Sequence, residues 1–197
     1  MVGRYFIALI PDEKALKKIQ KIQHQFLLLD KSIYKTSLPI HITLKETFAS
    51  DRIVDLEREL ALIVKDFLPF SVNVTGYDIF NNRCVVLKNS KPDEIQRLHE
   101  SIIDLANNYR IDELRGGLLS QCQNERQKEY LFKYNNIFVK EYYAPHITLV
   151  YLKDKKKLKL VNDFMKNADL NIQMHFSDVA IIDKKDNKPR ARFKFSC

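Results

Sequence analysis

The tetrapeptide His-Ile-Thr-Leu occurs twice, at His41–Leu44 and His146–Leu149. Each copy opens a run of β-branched and aromatic residues just after a proline (Pro39, Pro145), so each predicts a strand: His41–Phe48 and His146–Leu152. Side chains alternate faces along a strand. His and Thr of each copy therefore share one face, and Ile and Leu turn to the other. Two such strands set against each other would gather two imidazoles and two hydroxyls around one small space.

The surrounding order repeats as well. Arg4–Ile10 reads as a buried strand. Pro11 and Asp12 start a helix, since proline suits a first turn and an acid there complements the helix dipole. Leu16, Ile19, Ile22 and Phe26 form its apolar stripe. After the first HIT strand, Ile53, Leu56, Leu60, Ile63 and Phe67 predict a helix that Pro69 closes. Strands Phe70–Phe80 and Cys84–Leu87 follow, joined at Asn81-Asn82. The second round has a helix over Pro92–Asn107, the second HIT strand, a helix over Lys157–Met165, and strands Asn171–Ile182 and Ala191–Phe195. Helix, HIT strand, helix, hairpin thus occurs twice, a duplication with a period of about 75–80 residues in which little beyond the HIT segments is identical. The expectation is an α+β chain, one bilobal domain over 1–197, with repeats at roughly 11–88 and 92–197 related by a pseudo-twofold axis.

Segment 109–143 interrupts the second repeat and holds Gly116 and Gly117. Within it, Arg126–Tyr143 alternates basic residues with Tyr130, Phe132, Tyr134, Phe138, Tyr142 and Tyr143. That pattern suits stacking on nucleic-acid bases. Burial is the commoner use of aromatics, and an added local element packed on the domain is the favoured reading.

Histidine titrates near neutrality, so one imidazole can act as base and the other as acid, while threonine hydroxyls donate to phosphoryl oxygens as their charge rises. The catalytic candidates are His41 and His146, and the phosphate-binding candidates are Thr43 and Thr148. No carboxylate or thiolate set accompanies the strands, so neither a metal nor another cofactor is expected. Of the other histidines, His24 lies off its helical stripe, His99 borders one, and His175 sits on a polar strand face, so all three are expected at the surface or rim.

The 45% apolar and 29% charged composition is that of a globular chain, and the net charge of +8 favours anionic ligands, RNA or nucleotides among them. The run Lys153–Lys159 would steer a polyanion toward the second HIT strand or simply solvate a helix start. Cys84, Cys122 and Cys197 are odd in number and unpaired in spacing, consistent with thiols of a reducing compartment. No apolar run reaches the roughly 20 residues of a membrane span. A cytoplasmic monomer without a membrane role is the expectation.

The segments PIHITLK (39–45) and PHITLVY (145–151) resemble the paired HxT/S motifs of the 2H phosphoesterase superfamily, which includes 2′-5′ RNA ligase-like proteins and RNA cyclic phosphodiesterases. The opening RYFIALIPDEKALKKI is similar to its first strand and helix. The resemblance covers most of the chain, although segment 109–143 is longer than in compact members. It implies a bilobal fold whose antiparallel sheets line a central cleft with helices outside. It also implies metal-independent hydrolysis of a 2′,3′-cyclic phosphate or 2′-5′ phosphodiester of RNA or oligonucleotides, with ligation as the reverse reaction. Lys45, read on the His41 face and at an often-basic position in the family, becomes a substrate-binding candidate. Tyr151, where relatives often carry arginine, becomes another. The alternative is a non-catalytic module that holds RNA ends or nucleotides in the same basic cleft.

Overall fold

The computed structural model describes residues 2–196. In chain order it contains β1 (Gly3–Leu9), α1 (Glu13–Leu29), β2 (Ile33–Tyr34), β3 (Ile42–Ser50), α2 (Ile53–Ile63), β4 (Phe70–Phe80), β5 (Cys84–Asn89), α3 (Asp93–Asn107), α4 (Glu125–Tyr134), β6 (His146–Leu152), α5 (Leu158–Asn167), β7 (Gln173–Phe176), β8 (Asp178–Asp183) and β9 (Lys188–Lys194). The strands form two antiparallel sheets, a four-stranded one in the order β3-β1-β8-β9 and a five-stranded one in the order β2-β6-β5-β4-β7. Each HIT strand belongs to a different sheet.

The contiguous repeats 11–88 and 92–197 do not correspond to the two sheets. Hairpin β4–β5, which follows the first HIT strand, pairs with β6, and hairpin β8–β9, which follows the second, pairs with β1. The lobes are thus interleaved. A related difference lies in the span read as one strand from Asn171 to Ile182. Ser177 divides it, and β7 closes an edge of one sheet while β8 crosses to the centre of the other. The apolar positions step by two within each piece (Met174 and Phe176, then Val179 and Ile181) but by three across Ser177, so the period slips by one residue where the chain changes sheet.

Capping fixes α1 where the sequence predicts. The Asp12 carboxylate accepts the Ala15 N–H with one oxygen and the His175 N–H of β7 with the other. The β4–β5 turn uses the left-handed tolerance of asparagine: Asn81 and Asn82 have φ of 52° and 55°, and the Arg83 N–H closes on the Phe80 carbonyl.

Helices cover one face of each sheet. α2 and α3 pack on the four-stranded sheet, and α1 packs on the five-stranded one, where Phe26 meets Phe164 of α5. The main core joins both, and it holds Ile42 and Leu44 of the first motif together with Ile147 and Leu149 of the second, all buried. Truncating any one of these four would cost about 2–5 kcal/mol. The opposite face of the four-stranded sheet carries a separate small cluster, Phe6, Ala8, Ala180 and Ile182, and its Phe6 packs against His41.

α4 occupies the irregular segment. Tyr130 and Tyr134 pack on Ile103 of α3, with Val139 and Tyr142 beside them, which is the added packed element favoured over a nucleic-acid surface. Phe132 and Phe138 stay exposed. Cys84 and Cys122 are free thiols, and Cys197 lies outside the described residues. Among the described residues no helix is long and apolar enough to cross a membrane.

Candidate functional site

Ile42, Leu44, Ile147 and Leu149 anchor the HIT strands in the core, so strand alternation turns His41, Thr43, His146 and Thr148 the other way, half-buried. They converge on one cleft between the sheets. Its first compartment, about 260 Å³, is bordered by His41, Thr43, Thr148 and Tyr151. The adjoining compartment, about 590 Å³, is bordered by Thr43 and His146. Thr43 faces both.

The two imidazoles are held alike. Nδ1 of His41 lies 2.7 Å from the Pro39 carbonyl oxygen, and Nδ1 of His146 lies 2.9 Å from that of Ala144. A carbonyl only accepts, so in both rings Nδ1 must carry the proton. Nε2 is then left for chemistry, as a lone pair in the neutral ring or an N–H in the cation. Each ring also lies against a phenylalanine of its own sheet. Phe6 is tilted over His41 at 4.9 Å between centroids, and Phe80 meets His146 edge-on at 5.1 Å. The residue two before each histidine thus sets its tautomer and the aromatic sets its plane.

Burial lowers the pKa of His41 below the usual 6.5, and the charges of His146 and Lys184 lower it further against the opposing pull of the Pro39 carbonyl. Neutral His41 is therefore favoured, as a base requires. Lys184 comes from the β8–β9 turn, where its backbone N–H binds the Arg4 carbonyl.

Lys45 is not beside His41. Irregularities in the β1–β3 register, between the pairs Ala8↔Thr43 and Ile7↔Lys45 and again before Tyr5↔Phe48, add residues to β3 and break its alternation. The Lys45 side chain is buried, and its Nζ donates to the Tyr134 carbonyl at the end of α4. Desolvation brings its pKa down to about 8. The same distortion aims Glu46 and Thr47 at the first compartment. Tyr151 does border that compartment, and its ring stacks on Tyr34 at 5.7 Å.

Two side chains at the site escaped the sequence reading. Arg115 borders the first compartment, held by the Glu46 carboxylate at 2.6 Å and the Thr47 carbonyl. Its only sequence signal was a basic residue before Gly116-Gly117. His99, expected at the rim, is instead 2% exposed. Its Nδ1 donates to the Leu44 carbonyl, its Nε2 accepts the Lys140 N–H, and its ring stacks on Tyr143. Burial holds its pKa at about 3, so it is neutral. One turn of α3 fixes the backbone of the first HIT strand through it.

The remaining candidates stay peripheral. His24 and His175 are exposed. Within the Lys153–Lys159 run, Lys157 is tied to Asp30 at 2.6 Å, and Lys153 lies over the Tyr34 ring. Among the described residues, no group of three or more His, Cys, Asp or Glu is placed to hold a metal ion.

Comparison with known proteins gives three results. A sequence model of the 2′-5′ RNA ligase superfamily matches residues 10–188. No curated protein matches the sequence. Solved structures do share the fold. Escherichia coli LigT in its apo form aligns over 100% of this chain and 99% of its own, at 13% identity and a TM-score of 0.59. LigT complexed with 3′-AMP aligns at 12% identity and a TM-score of 0.62, over 100% of this chain and 99% of its own. TT0787 of Thermus thermophilus aligns over 97% of both chains, at 15% identity and a TM-score of 0.61.

Proposed function

The chain belongs to the 2′-5′ RNA ligase superfamily and so to the 2H phosphoesterases, and from that premise we propose that it hydrolyses a 2′,3′-cyclic phosphate or a 2′-5′ phosphodiester of RNA or oligonucleotides by histidine acid–base catalysis without a metal. The observation that carries this reading is the matched pair of Nδ1-to-carbonyl bonds, which leaves both Nε2 atoms available at one cleft.

His41, kept neutral by burial, takes the proton from water as its oxygen attacks phosphorus. Protonated His146 gives its Nε2 proton to the departing ribose oxygen. Thr43 and Thr148 donate to the non-bridging oxygens, where charge accumulates. Arg115 adds positive charge at the rim. The pairing of LigT with 3′-AMP in a related fold is in keeping with a nucleotide ligand here.

The test is hydrolysis of 2′,3′-cyclic nucleotides, RNA ending in a cyclic phosphate, and 2′-5′ oligoadenylate. Turnover should appear with at least one and vanish in His41→Ala and His146→Ala. Activity that survives in both variants would falsify the mechanism. A module that only binds would instead hold RNA ends in a salt-sensitive way and release no product.

A further inference from the structure

The two HIT histidines face different compartments. His41 borders the one of about 260 Å³, and His146 borders the one of about 590 Å³ beyond Thr43. The larger falls within the roughly 300–1,000 Å³ typical of small-molecule sites. This division bears on the substrate. A 2′,3′-cyclic phosphate has both ester oxygens on one ribose and needs space for one nucleoside. A diester joining two nucleosides needs space on both sides of phosphorus, and the cleft has it.

The walls of the larger compartment suit a nucleobase. Phe80 and Phe138 border it and are 36% and 51% exposed, so part of each ring is open to solvent, although Phe80 also packs against His146. Aromatic faces of this kind take stacked bases. Deeper in, Gln127 and Asn136 are only 3% and 5% exposed. Each uses its amide oxygen internally: Gln127 Oε1 accepts the Gln123 N–H at 2.7 Å, and Asn136 Oδ1 accepts the Phe138 N–H at 3.0 Å. Neither NH₂ group has a hydrogen-bond partner among the described residues, although both side chains border the compartment. Solvent reaches both nitrogens, so both are open to an acceptor bound in the compartment. The ring nitrogens and carbonyl oxygens of a base edge are acceptors.

Resting on the acid and base roles given above, we infer that the larger compartment seats the departing nucleoside, and that the preferred substrate is a 2′-5′ dinucleoside phosphodiester over a terminal cyclic phosphate. The water oxygen bonds phosphorus while the bond from phosphorus to O5′ breaks. His41 Nε2 receives the water proton and His146 Nε2 delivers one to O5′. The products are a nucleoside 2′-phosphate on the His41 side and a nucleoside with a free 5′-hydroxyl in the compartment bounded by Phe138 and Gln127.

Calorimetry separates this inference from the catalytic reading. The probes are adenosine 2′-monophosphate and a 2′-5′ diadenosine phosphonate with CH₂ in place of the bridging 5′ oxygen, which cannot be cleaved. The dinucleoside should bind at least about tenfold more tightly, the gain expected from one stacked base. Phe138→Ala, at an exposed position, should abolish that advantage and leave the mononucleotide unaffected. Gln127→Glu keeps the acceptor used by Gln123, removes the NH₂ donor, and should weaken the dinucleoside alone. Equal affinity for the two probes, or an advantage that persists in Phe138→Ala, overturns the inference. Tight dinucleoside binding without cleavage of 2′-5′ diadenosine upholds the seat and defeats the acid–base reading. Turnover of cyclic phosphate with no preference for the dinucleoside does the reverse.

Discussion

The imidazole of His99 lies flat against the ring of Tyr143, with centroids 3.7 Å apart and planes 5° from parallel. The pair joins α3 to the first HIT strand, because His99 bonds the Leu44 carbonyl and the Tyr143 hydroxyl donates to the Thr43 carbonyl at 3.0 Å. Tyr143→Phe should therefore reduce turnover without unfolding the protein. One lost hydrogen bond of this type is worth about 1 kcal/mol, or roughly fivefold in rate if Thr43 shifts from its place. An unchanged kcat would show that the HIT strand holds its position without the tether.

His99 also predicts acid sensitivity. Its pKa is about 3 in the fold against 6.5 when unfolded, so between these values the unfolded chain binds the extra proton. Stability from this group is complete above pH 6.5 and falls by up to about 1.4 kcal/mol for each unit below it. Urea midpoints from pH 7 to pH 4 should decline more steeply in the wild type than in His99→Gln, which cannot titrate.

For turnover, the prediction concerns His41. Replacing either HIT histidine by alanine should lower kcat by about 10²–10⁴-fold. The acidic limb of the wild-type pH profile should lie below pH 6.5, because burial holds His41 neutral. Lys184→Met removes a charge that disfavours imidazolium and should move that limb to higher pH, with little effect on the plateau. A limb that stays in place would separate Lys184 from the base.

Lys45 gives a pH dependence of stability with the same sign as that of His99, but in the alkaline range. Its pKa is about 8 in the fold and 10.5 unfolded, so between pH 8 and 10.5 the unfolded chain holds the proton. Burying the charged amine costs about 3 kcal/mol below pH 8, and this cost is relieved as pH rises through that window. Lys45→Met should be at least as stable as wild type at pH 7 and lose the alkaline gain. The comparison of unfolding curves at pH 7 and pH 9.5 decides it, and a clear loss of stability in the variant at pH 7 would contradict the assignment.

Arg115 ties segment 109–143 to β3 through Glu46 and Thr47, with a partly exposed side chain. Arg115→Ala should cost no more than about 1 kcal/mol of stability. It should nevertheless reduce kcat/KM by about tenfold through lost charge at the phosphate and a freed loop. A stability loss with unchanged kcat/KM would assign it a structural role only.

The four HIT side chains were legible in the sequence because a two-residue period and a repeated tetrapeptide are both local signals. The helical stripes of α1, α2 and α3 were legible for the same reason. What escaped depends on partners far along the chain. At Ser177 the change of sheet between β7 and β8 leaves only a one-residue slip in the apolar period, from Phe176 to Val179. The added residues in β3 that turn Lys45 away from His41 arise from its pairing with β1. His99 looks like a rim residue on a helical wheel, and only the arrival of Leu44 and Lys140 makes its burial tolerable. Arg115 has no periodic neighbours at all, since its position comes from the loop before α4.

The exchange of hairpins between sheets also governs how the molecule can be made. As the chain leaves the ribosome, Gly3–Leu9 can pair with Ile42–Ser50 early, yet its other edge stays open until Asp178–Asp183 has been synthesised. Neither of the spans 11–88 and 92–197 can close a sheet by itself, so fragments split between them should be insoluble apart and recover only when mixed. Each sheet is obligate for strands from both parts of the chain, and native contacts across most of its length make slow, all-or-none folding the expected behaviour.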